Sequence, residues 1–397
     1  MELKPGYKLT EVGVIPEEWE VKRLGDVATL KARIGWQGLT TAEYLSSGEH
    51  YLVTGTEFDG GYIDWSKCCF VDDKRYRMDR YIQLKVRDVL VTKDGTIGKV
   101  ALVSKLPGSA TLNSGVFVIR PINDAFSPEF FYYILCSSFF SDFLGQLAAG
   151  STINHLYQKD FVNFSFSAPP SLSEQTAIAT VLSDMDALLD SLDRLIAKKR
   201  DIKQAAMQEL LTGKKRLPGF DGEWEVKRLG DVLTICHGKN QRNVEVVGGA
   251  YPILATGGQI GTTNYFLYDK PSVLIGRKGT IDRPQYIATP FWTVDTLFYS
   301  VIKDKNSAKF LYYRFNLVHW MLYNEASGVP SLNARTIENI EFAIPKSIEQ
   351  TAIAKVLSDM DAEIEALEER RTKTQNIKQG MMQELLTGKT RLIAQEG

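Results

Sequence analysis

The phrase EQTAIATVLSDMDA at residues 174–187 returns as EQTAIAKVLSDMDA at residues 349–362. Both copies run on to a second shared phrase, MQELLTGKKRL ending at Leu217 and MQELLTGKTRL ending at Leu392. About two-thirds of the two 44-residue blocks is identical. A third phrase, EWEVKRLGDV, occupies residues 18–27 and again 223–232. The blocks are offset by 175 residues and the EWEVKRLGDV phrases by 205, so the enclosed segment is 30 residues longer in the first half. The two enclosed segments also differ greatly in sequence. Self-similarity at a fixed offset marks a duplicated architecture. Neutral drift would blur frame and contents alike. Here the frame is kept and the contents diverge, which fits a device presenting two different recognition units in equivalent positions.

The repeated blocks predict long helices. Ser171 and Glu174 have the spacing of a capping box. Val181, Met185, Leu188, Leu192, Leu195, Ile202 and Ala206 then recur at 3–4 spacing, with Lys199 as a polar intruder. Gly213 closes the helix and Pro218 follows. The second copy repeats the stripe as Ile353, Leu357, Met360, Ile364 and Leu367, then Met381 and Leu385, with Arg371 and Thr374 interrupting its middle. Apolar residues at heptad spacing form helix–helix seams. The two helices are therefore expected to pair as an antiparallel coiled coil within one chain, about a pseudo-twofold axis. A helix over residues 174–211 would be roughly 57 Å long. At ~3.4 Å per base pair that matches about 17 base pairs of duplex, so the helices could act as a ruler. TGKTRL would lead into IPEEWEVKRLGDV much as TGKKRL leads into its second copy, so the two ends of the chain are expected to lie close together.

The variable segments are rich in β-branched and aromatic residues punctuated by glycine, the pattern of short strands with a few helices. The fold expected is α/β (α+β): two recognition domains with mixed β-sheet, residues 1–170 and 214–345. They alternate with helices at 171–213 and 346–390, before a tail at 391–397. VLVTKDGTIG at residues 89–98 resembles VLIGRKGTID at 273–282, a strand ending in a glycine turn that carries Lys93 or Arg277 and Lys278. Each half also predicts an aromatic-rich helix, residues 128–144 and 308–323, whose amphipathic phase assigns the aromatics to the core. Asn154 and Asn333 sit in similar places before the long helices. Either can pair with adenine N6 and N7 or cap a turn, and the turn is the expected role. The loop after LGDV differs between halves: Lys31, Arg33, Trp36 and Gln37 in the first, Lys239, Asn240, Gln241 and Arg242 in the second. Arginine suits guanine, and Gln or Asn suits adenine. A solvated surface loop is the alternative reading.

Composition limits the other functions. With 397 residues, 44% hydrophobic and 24% charged, the chain can build two ordinary domains. No apolar run approaches the ~20 residues that cross a bilayer. Residues 1–18 lack a signal-peptide core, so a cytoplasmic location is expected. Cys68, Cys69, Cys136 and Cys236 form no CxxC pair, and no metal site is expected. The Cys68-Cys69 pair reads as strand packing. His50, His155, His237 and His319 are scattered without metal or triad spacing. No phosphate loop, adenine-methylation box or glycine-rich cofactor loop is present. These absences favour a binding subunit over an enzyme. Net charge is −1: −2 over residues 1–170, +1 over 171–217, +1 over 218–345 and −1 over 346–397. A DNA binder so neutral needs its basic residues clustered on one face, or a positive field supplied by partners.

EWEVKRLGDV, the EQTAIA(T/K)VLSDMDA helix start and the MQELLTGK(K/T)RL exit resemble the specificity subunits of type I restriction–modification enzymes, often called HsdS. The resemblance covers the whole chain. It implies two target recognition domains similar to those of type II adenine methyltransferases, each reading one half of a bipartite, gapped DNA site. It implies helices that set the spacer and dock methyltransferase subunits, expected to number two, with restriction subunits able to join. S-adenosylmethionine, ATP and Mg would then belong to those partners, and this chain would be non-catalytic and bind no cofactor. A coiled-coil scaffold that reads no DNA, and a stand-alone DNA-binding regulator, are the competing readings.

Overall fold

The computed structural model describes residues 5–35, 38–148 and 155–392. It divides into two compact units, Met1–Ser191 with Arg371–Gly397, and Leu192–Arg370. The two long helices span Leu172–Leu210 and Ser347–Leu385. The division falls inside both of them. Each unit therefore contains the first part of one helix and the last part of the other, rather than leaving the helices as segments apart from the recognition domains.

In the first unit a four-stranded sheet runs in the order Val100–Leu102, Val89–Thr92, Val116–Pro121, Ala28–Lys31, with antiparallel neighbours throughout. A smaller sheet pairs Ser109–Leu112 parallel to His50–Val53, which is antiparallel to Cys69–Val71. Glu20–Arg23 pairs with Ser165–Ala168. The second unit repeats this order. Gln285–Ile287, Ser272–Gly276, Leu297–Ile302 and Leu233–His237 form its larger sheet. Trp292–Thr293 lies parallel to Tyr251–Ala255, which is antiparallel to Gly258–Thr263, and Glu225–Arg228 pairs with Glu341–Ile344. The diverged segments thus share one mixed α/β topology.

Strand alternation explains why each larger sheet is buried on both faces. Val89 and Val91 enter the core that holds Phe130 and Phe131, whereas Leu90 enters a second core with Val53 and Leu112. Val273 and Ile275 part from Leu274 in the same way. Side chains alternate across a strand with a period of two, so a continuous apolar run fills both layers. Burial of each such side chain contributes roughly 1.5–3 kcal/mol. The aromatic helices are shorter than the sequence suggested. The first breaks into Pro128–Leu135 and Ser138–Leu147, where the Ser137 hydroxyl donates to the Ile134 carbonyl at 2.6 Å. The second stops at Phe315, before a 3-10 turn at Trp320–Tyr323. Their aromatics are core, as the phase indicated: Phe130, Phe131, Tyr132 and Tyr133 are all buried.

Within each unit the helix segments run antiparallel. In the first, Glu174 meets Arg391 and Asp186 meets Lys378. In the second, Lys203 meets Asp361 and Arg216 meets Glu349. One residue number rises as its partner's falls. The second helix keeps its expected seam: Ile353, Leu357 and Ile364 are buried, and Met360, Leu367 and Met381 are half-buried. Its polar interruptions stay in line, with Thr374 buried and Arg371 half-buried. The first helix is corrected by one residue at alternate positions. Leu182, Leu189, Leu192 and Ile196 are buried and Met185 is half-buried. Val181 and Leu188 are only half-buried, while Leu195 and Ile202 are 39% and 44% exposed. Leu188-Leu189 and Leu195-Ile196 offer two apolar phases one residue apart, and a 3.5-residue period does not choose between them. Packing chooses the phase that also carries Lys199, which pairs with Glu363 at 2.6 Å. The expectation that the chain's ends approach holds among the described residues: the Tyr7 hydroxyl donates to the Gly388 carbonyl at 3.2 Å.

Candidate nucleic-acid interface

The identical residues of the repeat do the same work in both units. Glu174 is buried and accepts from Nε and Nη2 of the Arg391 guanidinium, at 2.5 and 2.7 Å. Glu349 does the same with Arg216, at 2.6 Å for both bonds. The Glu174 carboxylate was expected to cap its own helix. It binds the exit of the other helix instead, because a buried carboxylate needs a fully paired cation. Beside it, the Gln175 carbonyl accepts from the Ser127 N–H and its amide donates to the Pro169 carbonyl, both at 2.8 Å. Gln350 repeats this with the Ser307 N–H and the Pro345 carbonyl, both at 2.9 Å. Tyr133 donates to Asp186 at 2.9 Å under the Lys378 ammonium, as Tyr313 donates to Asp361 under Lys203. Burial, followed by the adjacent aspartate, pushes both phenols up and keeps them as donors. Sequence reasoning missed these groups. Their signal was present as polar residues retained identically inside an apolar stripe, Glu-Gln at each helix start and Arg at each exit.

This docking occupies one end of each larger sheet. In the first unit, Ala28 lies opposite Pro121 at the end that leads to Ser127. Lys31 lies opposite Val118, and Thr92 opposite Val116, toward the other end. The loops after Lys31, after Thr92 and before Val116 leave from that far end. In the second unit the loops after His237, after Gly276 and before Leu297 do likewise. Backbone closure is also shared. The Lys93 N–H donates to Gly115 and its carbonyl accepts from Leu156, both at 2.8 Å. The Arg277 N–H donates to Thr296 at 2.8 Å and its carbonyl accepts from Leu332 at 2.9 Å. Lys93 and Arg277 are therefore equivalent, as their strand resemblance suggested.

The structure sorts the candidate base-reading residues. Lys31 is exposed at the end of its strand, and Lys93 is half-buried with its ammonium 5.3 Å from the Phe117 ring centre. Arg277 is half-buried and donates to the Asp295 carbonyl at 3.2 Å, while Lys278 is exposed and bridges to Ser331. Lys239 is fixed by its backbone, donating to Thr293 and accepting from the Trp292 indole at 2.8 Å each, which leaves its side chain exposed. Asn240 and Arg242 are exposed too, with the Asn240 side-chain oxygen accepting from the Arg242 N–H at 2.9 Å, and Gln241 is half-buried. In the second unit these residues gather at the loop end of the sheet.

Two candidates are structural. Arg33 is 1% exposed, and its guanidinium donates to the Leu112 carbonyl at 2.9 Å and to Thr111 at 3.3 Å. Burial and the nearby Arg75 lower its pKa. It pins its loop, with its guanidinium closed off from the surface. Asn333 caps the helix Ala334–Glu338, accepting from the Arg335 N–H at 2.9 Å, which is the turn role expected for it. Aligned on Leu156 and Leu332, its counterpart is Tyr157. Asn154 lies three positions earlier, and Asn154, Trp36 and Gln37 fall outside the described residues. Among the described residues, no group of His, Cys, Asp or Glu is placed to hold a metal ion, and no helix is long and apolar enough to cross a membrane.

A family model described as the type I restriction modification DNA specificity domain matches residues 16–199 and again 221–379. The chain belongs to this family. Two copies of the domain in one chain agree with the two units described above, so the chain is a type I specificity subunit rather than a scaffold that ignores DNA. The specificity subunit is 24% identical over 422 residues to the putative type I restriction enzyme MjaX specificity subunit of Methanocaldococcus jannaschii, covering 97% of each chain. It is 24% identical over 206 residues to the EcoKI specificity subunit of Escherichia coli, covering 51% of this chain and 43% of that one. Its fold is similar to the crystal structure of the S subunit from M. genitalium, at 17% identity and TM-score 0.64, covering 96% of this chain and 99% of that one. The HsdS subunit from Thermoanaerobacter tengcongensis is a further neighbour, at 18% identity and TM-score 0.52, covering 95% and 98%.

Proposed function

We propose that each unit of this specificity subunit reads one half of a bipartite, gapped DNA site through the loops at the far end of its larger sheet. The long helices set the spacing between half-sites and dock methyltransferase subunits, two per chain, and restriction subunits join that complex. S-adenosylmethionine, ATP and Mg act on those partners, and this chain contributes recognition without catalysis. One observation carries the reading. Polar residues identical between the repeats make the same docking bonds in both units, while the loops at the opposite end differ in sequence. A common mount bearing two different readers is what a bipartite site requires. Phosphate contacts position such a complex and base-edge contacts specify it, so the exposed Lys239, Asn240, Arg242 and Lys278 are the second unit's candidates for base contact. The test is single-molecule sequencing of DNA from cells that express this chain with its methyltransferase subunit. A gapped motif carrying N6-methyladenine in both halves supports the proposal, and exchange of residues 19–170 should then alter one half only. A confirmed complex that methylates no motif would overturn it.

A further inference from the structure

The charge of the first unit is unevenly distributed. Residues 72–88 carry Lys74, Arg75, Arg77, Arg80, Lys85 and Arg87 against Asp72, Asp73, Asp79 and Asp88, a net charge of +2, although residues 1–170 as a whole are net −2. This segment belongs to the connection between strands Cys69–Val71 and Val89–Thr92. The equivalent connection in the second unit, residues 264–271, is much shorter and holds one acid and one base. The basic insert therefore has no counterpart there.

Tyr81 stands at its centre, 54% exposed. The Arg80 guanidinium lies 5.1 Å from its ring centre and the Lys31 ammonium 5.7 Å, so cations from two separate elements converge on one phenol. Arg80 also donates to the Tyr81 hydroxyl at 3.2 Å. The platform is anchored. Asp88 is buried and pairs with Arg120 through two bonds of 2.7 Å. Arg120 in turn donates to the backbone carbonyls of Tyr81, at 2.9 Å, and Gln83, at 2.7 Å. Between those residues Ile82 is fully buried, and Asp79 accepts from the Tyr81 N–H at 2.8 Å. The turn is thus held on both sides while the phenol is displayed. Its hydroxyl is acidified, chiefly by Arg80 and further by Lys31, as a local positive field requires.

We infer that Lys31, Arg80 and Tyr81 form a DNA-backbone contact of the first reader that takes a phosphate group and has no equivalent in the second. This rests on the DNA-reading function proposed above. Two cations and a hydroxyl donor on a pre-formed turn suit a phosphate oxygen, and such contacts carry affinity and register rather than sequence. The inference also accounts for part of the neutral overall charge, since the positive field is local to one reader.

The experiment measures binding of the complex with its methyltransferase to a duplex bearing its methylated motif, from 50 to 300 mM salt. Lys31→Gln with Arg80→Gln should lower the slope of log affinity against log salt by about 0.9, the value for one phosphate no longer neutralised. The methylated motif should stay the same. Tyr81→Phe should weaken binding by a few-fold without changing that slope. A single neutral methylphosphonate in the backbone flanking the first half-site should reproduce the weakening and abolish the effect of the double variant. An unchanged slope, in a variant complex that still binds the motif, overturns the inference and leaves the DNA-reading function standing. A changed motif assigns these residues to base reading and overturns it as well. A wild-type complex that binds no duplex overturns both.

Discussion

Gln175 offers a sharp test of how a reader is mounted on the helices. Its side chain is 1% exposed and holds two backbone groups of the first unit, the Ser127 N–H and the Pro169 carbonyl. Gln175→Ala leaves both without that partner. Each buried unsatisfied group costs about 1–3 kcal/mol, so together the penalty is roughly 2–4 kcal/mol once partial relaxation is allowed. The helix Pro128–Leu135 begins at Ser127, and its amides report the damage. At about 1.4 kcal/mol per tenfold, their hydrogen exchange should accelerate about 30- to 700-fold where it proceeds by local opening. Gln350→Ala should have the matching effect on Ala308–Phe315, through the Ser307 N–H and the Pro345 carbonyl. Each variant should spare the helix of the other unit. Hydrogen exchange followed by peptide mass spectrometry resolves the two helices in one experiment. Equal acceleration in both, or less than a threefold change in either, would refute the idea that each glutamine anchors its own reader.

Other outcomes test the seam, the structural candidates and one thiol. Leu189→Ala should cost about 2–5 kcal/mol, as expected for a large-to-small change in a packed seam, whereas Leu195→Ala should cost under ~1 kcal/mol; urea denaturation separates the two, and the opposite ranking would restore the phase read from sequence alone. Arg33→Gln should destabilise the first unit by about 2–3 kcal/mol through its missing buried hydrogen bonds and leave the half-site of the second unit unchanged in methylome sequencing. Asn333→Ala should cost about 1 kcal/mol as a missing helix cap with no change of target motif. Cys68 is buried, and that burial, then the charge of Glu57, pushes its thiol up to about 12. Thiolate is the reactive form, so Cys68 should resist iodoacetamide at pH 8 in the folded protein and react on unfolding, as intact-mass analysis would show.

The sequence by itself determined the architecture. Two repeated blocks specified two long helices, their antiparallel pairing and a pair of similar recognition units, because heptad periodicity and internal identity are local signals. Apolar runs such as Val89-Leu90-Val91 likewise marked strands. Only the tertiary structure decided which of two adjacent apolar phases faces the partner. Leu189 and Leu195 differ by burial alone, and burial is set by what stands across the seam. It also decided the role of individual polar residues. Arg33 looked like a base reader because it lies in a divergent loop, yet its guanidinium is enclosed beside Thr111 and Leu112. Glu174 looked like a cap for its own helix, yet Arg391, more than two hundred residues away in sequence, takes its carboxylate. Lys31 and Arg80, separated in sequence, meet over one tyrosine ring. A side chain's chemistry can be read from its letter, but its partner is chosen by contacts between distant segments, and no local pattern records those.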